Sequence, residues 1–498
     1  MMKWIGLLLV CGVLVILGFH WSKTTHITAA NAPLDTVISG GRVMDPESGL
    51  DAIRNVGIRD GKIAEISENP LQGKEVIDAK GLVVSPGFID PHEHGQEPRN
   101  YQFQAHDGVT TSLELEGGTD DVAAWYAQRE RKSLINFGVS IGHISVRADA
   151  MLHRAPGGKE VLEVFKEATE ASHRAATPEE IDRMTQLIET GMKQGALAEG
   201  MGVNYTPGAT RWEIVQMFRI AAKYNAPVDI HLRYYGVLEP QTGLNALEEA
   251  IAASAATGAP LHVVHITSTG LSSTPQMLAV VEGAQKHGID VTTEAYPYTA
   301  ASTSLESAIF DPGWQERMGI TFKDIQWADT GERLTAETFA KYRKQGGVVV
   351  IHSIPEADAR AAVASPFVMI GSDGMPITGP KIHPRGQGSF SRVLGHYVRE
   401  EKALDLMTAL RKMTLMPAQF LERRAPIFAD KGRIRVGADA DITVFDPAKI
   451  IDKATFDEPL KYSEGISYVF VNGVAVLKAG TLVDGVFPGR AARAPIVQ

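Results

Sequence analysis

His92-Glu93-His94 follows an apolar run, Leu82-Val-Val-Ser-Pro-Gly-Phe-Ile-Asp90. Residues i and i+2 of a strand share a face, so His92 and His94 can approach one cation together. His231 ends Pro227-Val-Asp-Ile230, His265 ends Leu261-His-Val-Val264, and Asp373 ends Phe367-Val-Met-Ile-Gly-Ser372. A lone strand-end histidine is most often a satisfied rim residue. Two of them behind an initial His-x-His, with a carboxylate after a further run, favour a metal site instead. Imidazole and carboxylate donors without thiolate suit Zn2+ among divalent metals. Asp373 is expected both to ligate and to accept a proton from water that the metal acidifies.

The apolar runs that deliver these residues alternate with helical stretches such as Pro178 to Gln194 and Asn245 to Ala256. Candidate strands end near Asp90, Glu114, His143, Tyr205, His231, His265, Ala295, His352 and Ser372. That alternation predicts a (β/α)8 TIM-type barrel, whose active sites sit at the strand C-termini. It offers one strand too many, so the run near Val291 or the one near Val348 belongs to an insert. Both chain ends read as β structure. Asp35 to Ser39 and Arg42 to Met44 flank Gly40-Gly41 like a hairpin; Asp60-Gly61 turns another, and Asn472-Gly473 a third. Gly432 to Gly437 also alternates like a strand. A small β-sandwich built from both ends is expected, since termini often lie close together. The boundaries are a signal peptide or anchor at 1–32, β-sandwich at 33–85, barrel at 86–430, and β-sandwich again at 431–498.

The charge balance is acidic: 49 Lys+Arg stand against 59 Asp+Glu, a net charge of −10 that disfavours nucleic-acid partners. The single cysteine, Cys11, lies in the N-terminal apolar stretch and leaves the rest of the chain without a disulfide or a thiolate ligand. Lys3 followed by the apolar run from Trp4 to Phe19 resembles a signal h-region, with Thr28-Ala29-Ala30 as the cleavage site. An uncleaved anchor is the alternative. Either places the rest of the chain in the periplasm or otherwise outside the cytoplasm, touching membrane only through this segment.

His92-x-His94, His231, His265 and Asp373, in this order, resemble the metal pattern of the amidohydrolase superfamily, which implies one or two divalent metal ions, mostly Zn2+. Finer blocks resemble the N-acyl-D-amino-acid deacylases, or D-aminoacylases: Gly142-His-Ile-Ser-Val-Arg147, Gly202-Val-Asn-Tyr-Thr-Pro-Gly208, His231-Leu-Arg233, Tyr296-Pro-Tyr298, and Gly371-Ser-Asp-Gly374 with His383-Pro-Arg385. The resemblance runs over about 35–447. Two departures stand out. The family often bridges two metals with a cysteine at the end of the second strand; here Glu114 and Glu116 share strand parity, and Glu116 is the candidate bridge, with Glu114 the alternative. Related deacylases often carry a lysine for the substrate carboxylate where this chain has Thr267. Arg233, Tyr298, Ser304 and Arg385 are the remaining candidates for binding substrate.

The resemblance implies hydrolysis of a linear amide: deacylation of a small N-acyl (D-)amino acid, or cleavage of a related dipeptide. A cyclic-amide hydrolase of the hydantoinase or dihydroorotase kind is the alternative, although Gly200 to Tyr205 lacks the lysine such enzymes usually carboxylate. A catalytically dead binding protein is the third reading. His143 and His352 end apolar runs and are expected near the pocket without a direct role. Trp125, Trp212, Trp314 and Trp327 are expected to pack.

Overall fold

A computed structural model describes residues 33–158 and 169–497. The proposed signal or anchor segment lies outside the described residues.

The two ends of the chain hydrogen-bond into one nine-stranded sheet. Its join is Val83–Pro86 running antiparallel to Ile442–Phe445, with Val84 opposite Val444. Leu34–Asp45, Leu50–Arg59 and Lys62–Ser67 extend it on one side, Ile466–Val471, Val474–Lys478 and Thr481–Leu482 on the other. The turns are chemically dictated. Asp60 and Gly61 adopt φ of 52° and 76°, and Asn472 and Gly473 48° and 80°, the paired positive values that let a two-residue hairpin follow strand twist. Ile38, Val56, Ile63, Val84, Ile442 and Phe470 meet in the core this sheet encloses. Two sequence expectations fail here. Gly40-Gly41 is a bulge inside the single strand Leu34–Asp45 rather than a hairpin turn. Gly432 to Gly437 is irregular: Ile434 plugs the core, while Arg433 turns to Glu47 and Glu422.

Eight parallel strands form the barrel: Phe88–Asp90, Val109–Thr119, Asn136–Gly142, Glu199–Gly202, Val228–His231, Leu261–Val263, Val291–Ala295 and Val368–Ile370. The seam between the first and last is closed just beyond their ends, where Asp373 N–H donates to His92 O (2.7 Å) and His94 N–H to Gly374 O (2.8 Å). Val291–Ala295 is therefore a barrel strand. Val348–Ile351 is the insert, pairing antiparallel with Ala301–Ser304 and Ile325–Trp327 in a separate sheet. The outer helices bury one stripe each. In Pro178–Lys193, Ile181, Met184, Ile188 and Met192 recur at three- and four-residue spacing, and a Thr177–Glu180 capping box starts the helix. Each such side chain removed from water contributes about 1.5–3 kcal/mol. Of the tryptophans, Trp212 is 58% exposed and does not pack in the core.

Candidate metal centre

The C-terminal ends of five barrel strands converge on Glu116. Its Oε2 lies 2.8 Å from His92 Nε2 and 3.3 Å from His94 Nε2, and its Oε1 lies 3.0 Å from His231 Nδ1. His265 Nε2 stands 3.7 Å from Oε2. Asp373 Oδ1 completes the cluster at 3.4 Å from both His92 Nε2 and His94 Nε2. Donor atoms of His92, His94, Glu116 and Asp373 lie within 4.8 Å of one another, and so do those of Glu116, His231 and His265. The two sets share one carboxylate, the geometry two neighbouring cations need. All except His94 are buried. A carboxylate so enclosed needs a charge partner, and these nitrogen and oxygen donors fit zinc.

The backbone contributes directly. His265 and Asp373 follow their strands with φ of 33° and 52°, a left-handed conformation that is uncommon outside glycine and costs free energy. Each turns its side chain across the strand end. Gly371 and Gly374 explain the Gly-Ser-Asp-Gly block: a Cβ on Gly371 would sit 1.7 Å from Glu294 Oε2, and one on Gly374 1.9 Å from Glu93 Oε2. Glu93, the middle of His-x-His, faces away from the centre and accepts from Gly95 N–H and Ser372 Oγ–H.

Behind the histidines stand acceptors that fix their rings. His92 Nδ1–H donates to Glu294 Oε1 (2.6 Å) and His94 Nδ1–H to Glu114 Oε2 (2.7 Å), which leaves each Nε2 lone pair facing the cluster. His265 Nδ1 is 3.0 Å from Ser268 Oγ. Glu114 thus orients His94 rather than bridging. Glu294 escaped the sequence reading, although a carboxylate inside the barrel strand Val291–Ala295 was a signal that something there required it. Burial alone would raise the carboxyl pKa of Asp373, but Arg385, His92 and His94 outweigh it and hold it well below the usual range. Glu116 is likewise held low against its burial by the four surrounding imidazoles.

The small space over the centre is lined by Tyr205, Tyr235, Ser268, Ser302 and Thr303 beside the metal-site residues. The four expected substrate binders are placed otherwise. Arg233 makes a bidentate pair with Glu249 and lines a neighbouring cleft. Tyr298 bonds Asp452 and packs on His383. Ser304 lies beyond the pocket wall, which its strand neighbours Ser302 and Thr303 form instead. Arg385 Nη1 stands 2.8 Å from Asp373 Oδ2, behind that carboxylate and 1% exposed. His143 is tied to Glu213, and His352 to Gln326, both away from the pocket lining.

A family model described as the amidohydrolase family matches residues 75–477. N-acyl-D-glutamate deacylase of Alcaligenes xylosoxydans xylosoxydans is 29% identical over 493 residues, covering 89% of this chain and 93% of that protein. D-aminoacylase of the same organism is 30% identical over 493 residues, covering 89% and 94%. Among solved structures, N-acyl-D-glutamate deacylase from Bordetella bronchiseptica, complexed with zinc and a phosphonate inhibitor that mimics the tetrahedral intermediate, superposes with a TM-score of 0.79. Its identity is 28%, over 93% of this chain and 100% of that one.

Proposed function

The chain belongs to the amidohydrolase family, and on that premise we propose that it hydrolyses a linear amide, removing the acyl group from an N-acyl (D-)amino acid or cleaving a related dipeptide. The observation that carries this reading is Glu116 at the shared corner of two donor sets, His92, His94 and Asp373 on one side and His231 and His265 on the other. The names of the two deacylase relatives support the linear amide. So does the fourth barrel strand, Glu199–Gly202, which carries no lysine to be carboxylated.

Zinc held by these residues supplies Lewis-acid polarisation of the amide carbonyl and acidifies water. Asp373 Oδ1 faces His92 and His94, while Arg385 Nη1 places its charge beside Oδ2. Oδ1 takes the proton of the attacking water and returns it to the leaving nitrogen. The Tyr235 phenol, pushed up to about 12 by burial, stays protonated and can donate to the carbonyl oxygen as charge develops there. Ser302, Thr303 and Ile351 come from the insert and wall the pocket against bulk water. The run from Trp4 to Phe19 supports an exported enzyme, and the net charge of −10 supports small-molecule rather than nucleic-acid partners. The N-terminal sequence of the mature protein tests the export step.

The activity test uses the purified chain, stripped with chelator and reloaded with zinc, against N-acetyl-D- and N-acetyl-L-amino acids, with amine release as the readout. Zinc-dependent hydrolysis of the linear amides is expected. Hydrolysis of hydantoins or dihydropyrimidines in their place would overturn the reading.

A further inference from the structure

Arg385 is a buried cation beside the metal centre, and its own hydrogen bonds do little to place it. Nη2–H donates to Ser302 O at 3.2 Å, while Nε and Nη1 meet no hydrogen-bond acceptor among the described residues. Nη1 nevertheless stands in ion contact with Asp373 Oδ2 at 2.8 Å, and the guanidinium lies 4.7 Å from the centre of the Tyr296 ring. A charge with so few bonds at its tip takes its position from its backbone.

That backbone is the first turn of the helix Arg385–Arg392. The turn is seated on the corner that carries Asp373: a Cβ on Gly386 would lie 3.1 Å from Gly374 Cα. The helix then breaks at Gly388, whose φ of −162° and ψ of 17° are not helical. A Cβ on Gly388 would lie 2.7 Å from Asp452 Cβ, so glycine belongs at the break. Such a break frees the N–H groups that follow it, and Asp107 supplies their acceptors. Its Oδ2 accepts from Phe390 N–H (2.8 Å), and its Oδ1 from Ser391 N–H (3.0 Å) and Ser463 Oγ–H (2.9 Å). Asp107 is itself buried and caps the helix Pro98–His106, which lies between the first two barrel strands. One carboxylate thus ties the kinked helix to the barrel. Its bonds to N–H groups are charge-assisted, and its charge suits the positive end of the helical half beyond the kink.

We propose that Asp107 is a positioning residue for the hydrolysis: by holding the kink it sets where Arg385 stands. Arg385 in turn draws Asp373 Oδ2 to its side and leaves Oδ1 toward His92 and His94. The proposal rests on the deacylase reading above. Asp107 lies outside the pocket lining, and its carboxylate bonds run to Phe390, Ser391 and Ser463 rather than to a metal-site residue. Its influence on the reaction therefore passes through the helix and Arg385.

The test is a double-mutant cycle on the zinc-loaded full chain, with N-acetyl amino acids as substrates. Asp107→Asn keeps one acceptor oxygen but turns an amide NH2 toward the other donor. Its kcat, read at the plateau of its pH profile, should fall roughly tenfold or more, with KM and zinc content little changed. Exchange of the Phe390 and Ser391 amide protons should quicken in the same variant. In an Arg385→Leu background the substitution should cost less than about twofold more, because the charge it would misplace is already gone. Ser463→Ala takes a hydroxyl from the same carboxylate but leaves both N–H bonds of the kink, and it should stay near wild type. A D107N protein with wild-type kcat or unchanged amide exchange overturns the proposal and leaves deacylation intact. So do losses that multiply in full in the double variant, or an S463A protein as impaired as D107N, since the effect is then general loosening. Should D107N fail to fold, D107E, which keeps the charge but sets it one methylene out of place, carries the same cycle with the same outcomes. A wild type that hydrolyses no N-acetyl amino acid overturns the deacylase reading, and the role given to Asp107 with it.

Discussion

Arg385 Nη1 stands 2.8 Å from Asp373 Oδ2, and both side chains are buried. The guanidinium charge therefore sits beside the oxygen that does not face His92 and His94, and it favours the ionised carboxylate. Arg385→Leu removes that charge, so Asp373 binds its proton more tightly. Asp373 works as the carboxylate, so the acid limb of the kcat/KM profile should move to higher pH, with Arg385→Lys falling between. The measurement is a pH–rate profile of the three proteins at matched zinc content. Superimposable profiles would mean that Arg385 only packs against Asp373.

The candidate donor set was legible because strand ends announce themselves: a short apolar run stops, and a polar residue follows with the right parity. His92, His94, His231, His265 and Asp373 have this form, Glu116 shows only the parity within its strand, and all six meet at one end of the barrel. What the residues around them touch was not legible. Val348–Ile351 has the same pattern as a barrel strand, and only its antiparallel partners assign it to the insert. Arg233 looked free, yet Glu249, sixteen residues on, neutralises it. Long side chains choose neighbours by tertiary position, which spacing along the chain does not encode.

Glu116 is the residue shared by both candidate donor sets, so its loss should be felt by a cation held by either set. Glu116→Gln keeps the shape but removes the anion, and bound zinc should fall well below the wild-type content. Glu116→Cys supplies an anionic thiolate and should retain more metal than Gln does. Metal analysis after dialysis ranks the three. A glutamine variant with full zinc content would show that Glu116 only accepts hydrogen bonds from the histidines.

Lys412 is fully buried, and its Nζ donates to Val363 O and Ser365 O at the end of the helix Glu356–Ala364. Burial pushes its pKa down from 10.5 to about 7. Between those values the unfolded chain holds the proton and the folded one does not, so this residue makes stability rise with pH across that window. The contribution is complete above about pH 10.5 and is lost as pH falls through about 7. Lys412→Met abolishes the slope. Relative to wild type, the variant should be at its best near about pH 6 and worsen by up to a few kcal/mol toward about pH 10, as read from denaturant unfolding at several pH values. A difference between the two proteins that does not vary with pH would contradict a neutral buried amine.

Asp373→Asn tests the proton path. Asparagine has nearly the same size and keeps one oxygen, but it cannot take a proton from the attacking water. His92, His94, His231, His265 and Glu116 remain to hold zinc, so metal content should be nearly preserved. Loss of a general base costs on the order of 10² to 10⁴ in rate, and the loss here should lie at the upper end, because the same oxygen serves the leaving nitrogen. Metal content and turnover are measured on one preparation. A variant that keeps its zinc and hydrolyses amides within a few-fold of wild type removes Asp373 from the proton path. A variant that loses zinc outright makes ligation its main task, and Tyr235, which lines the same pocket, becomes the next group to substitute.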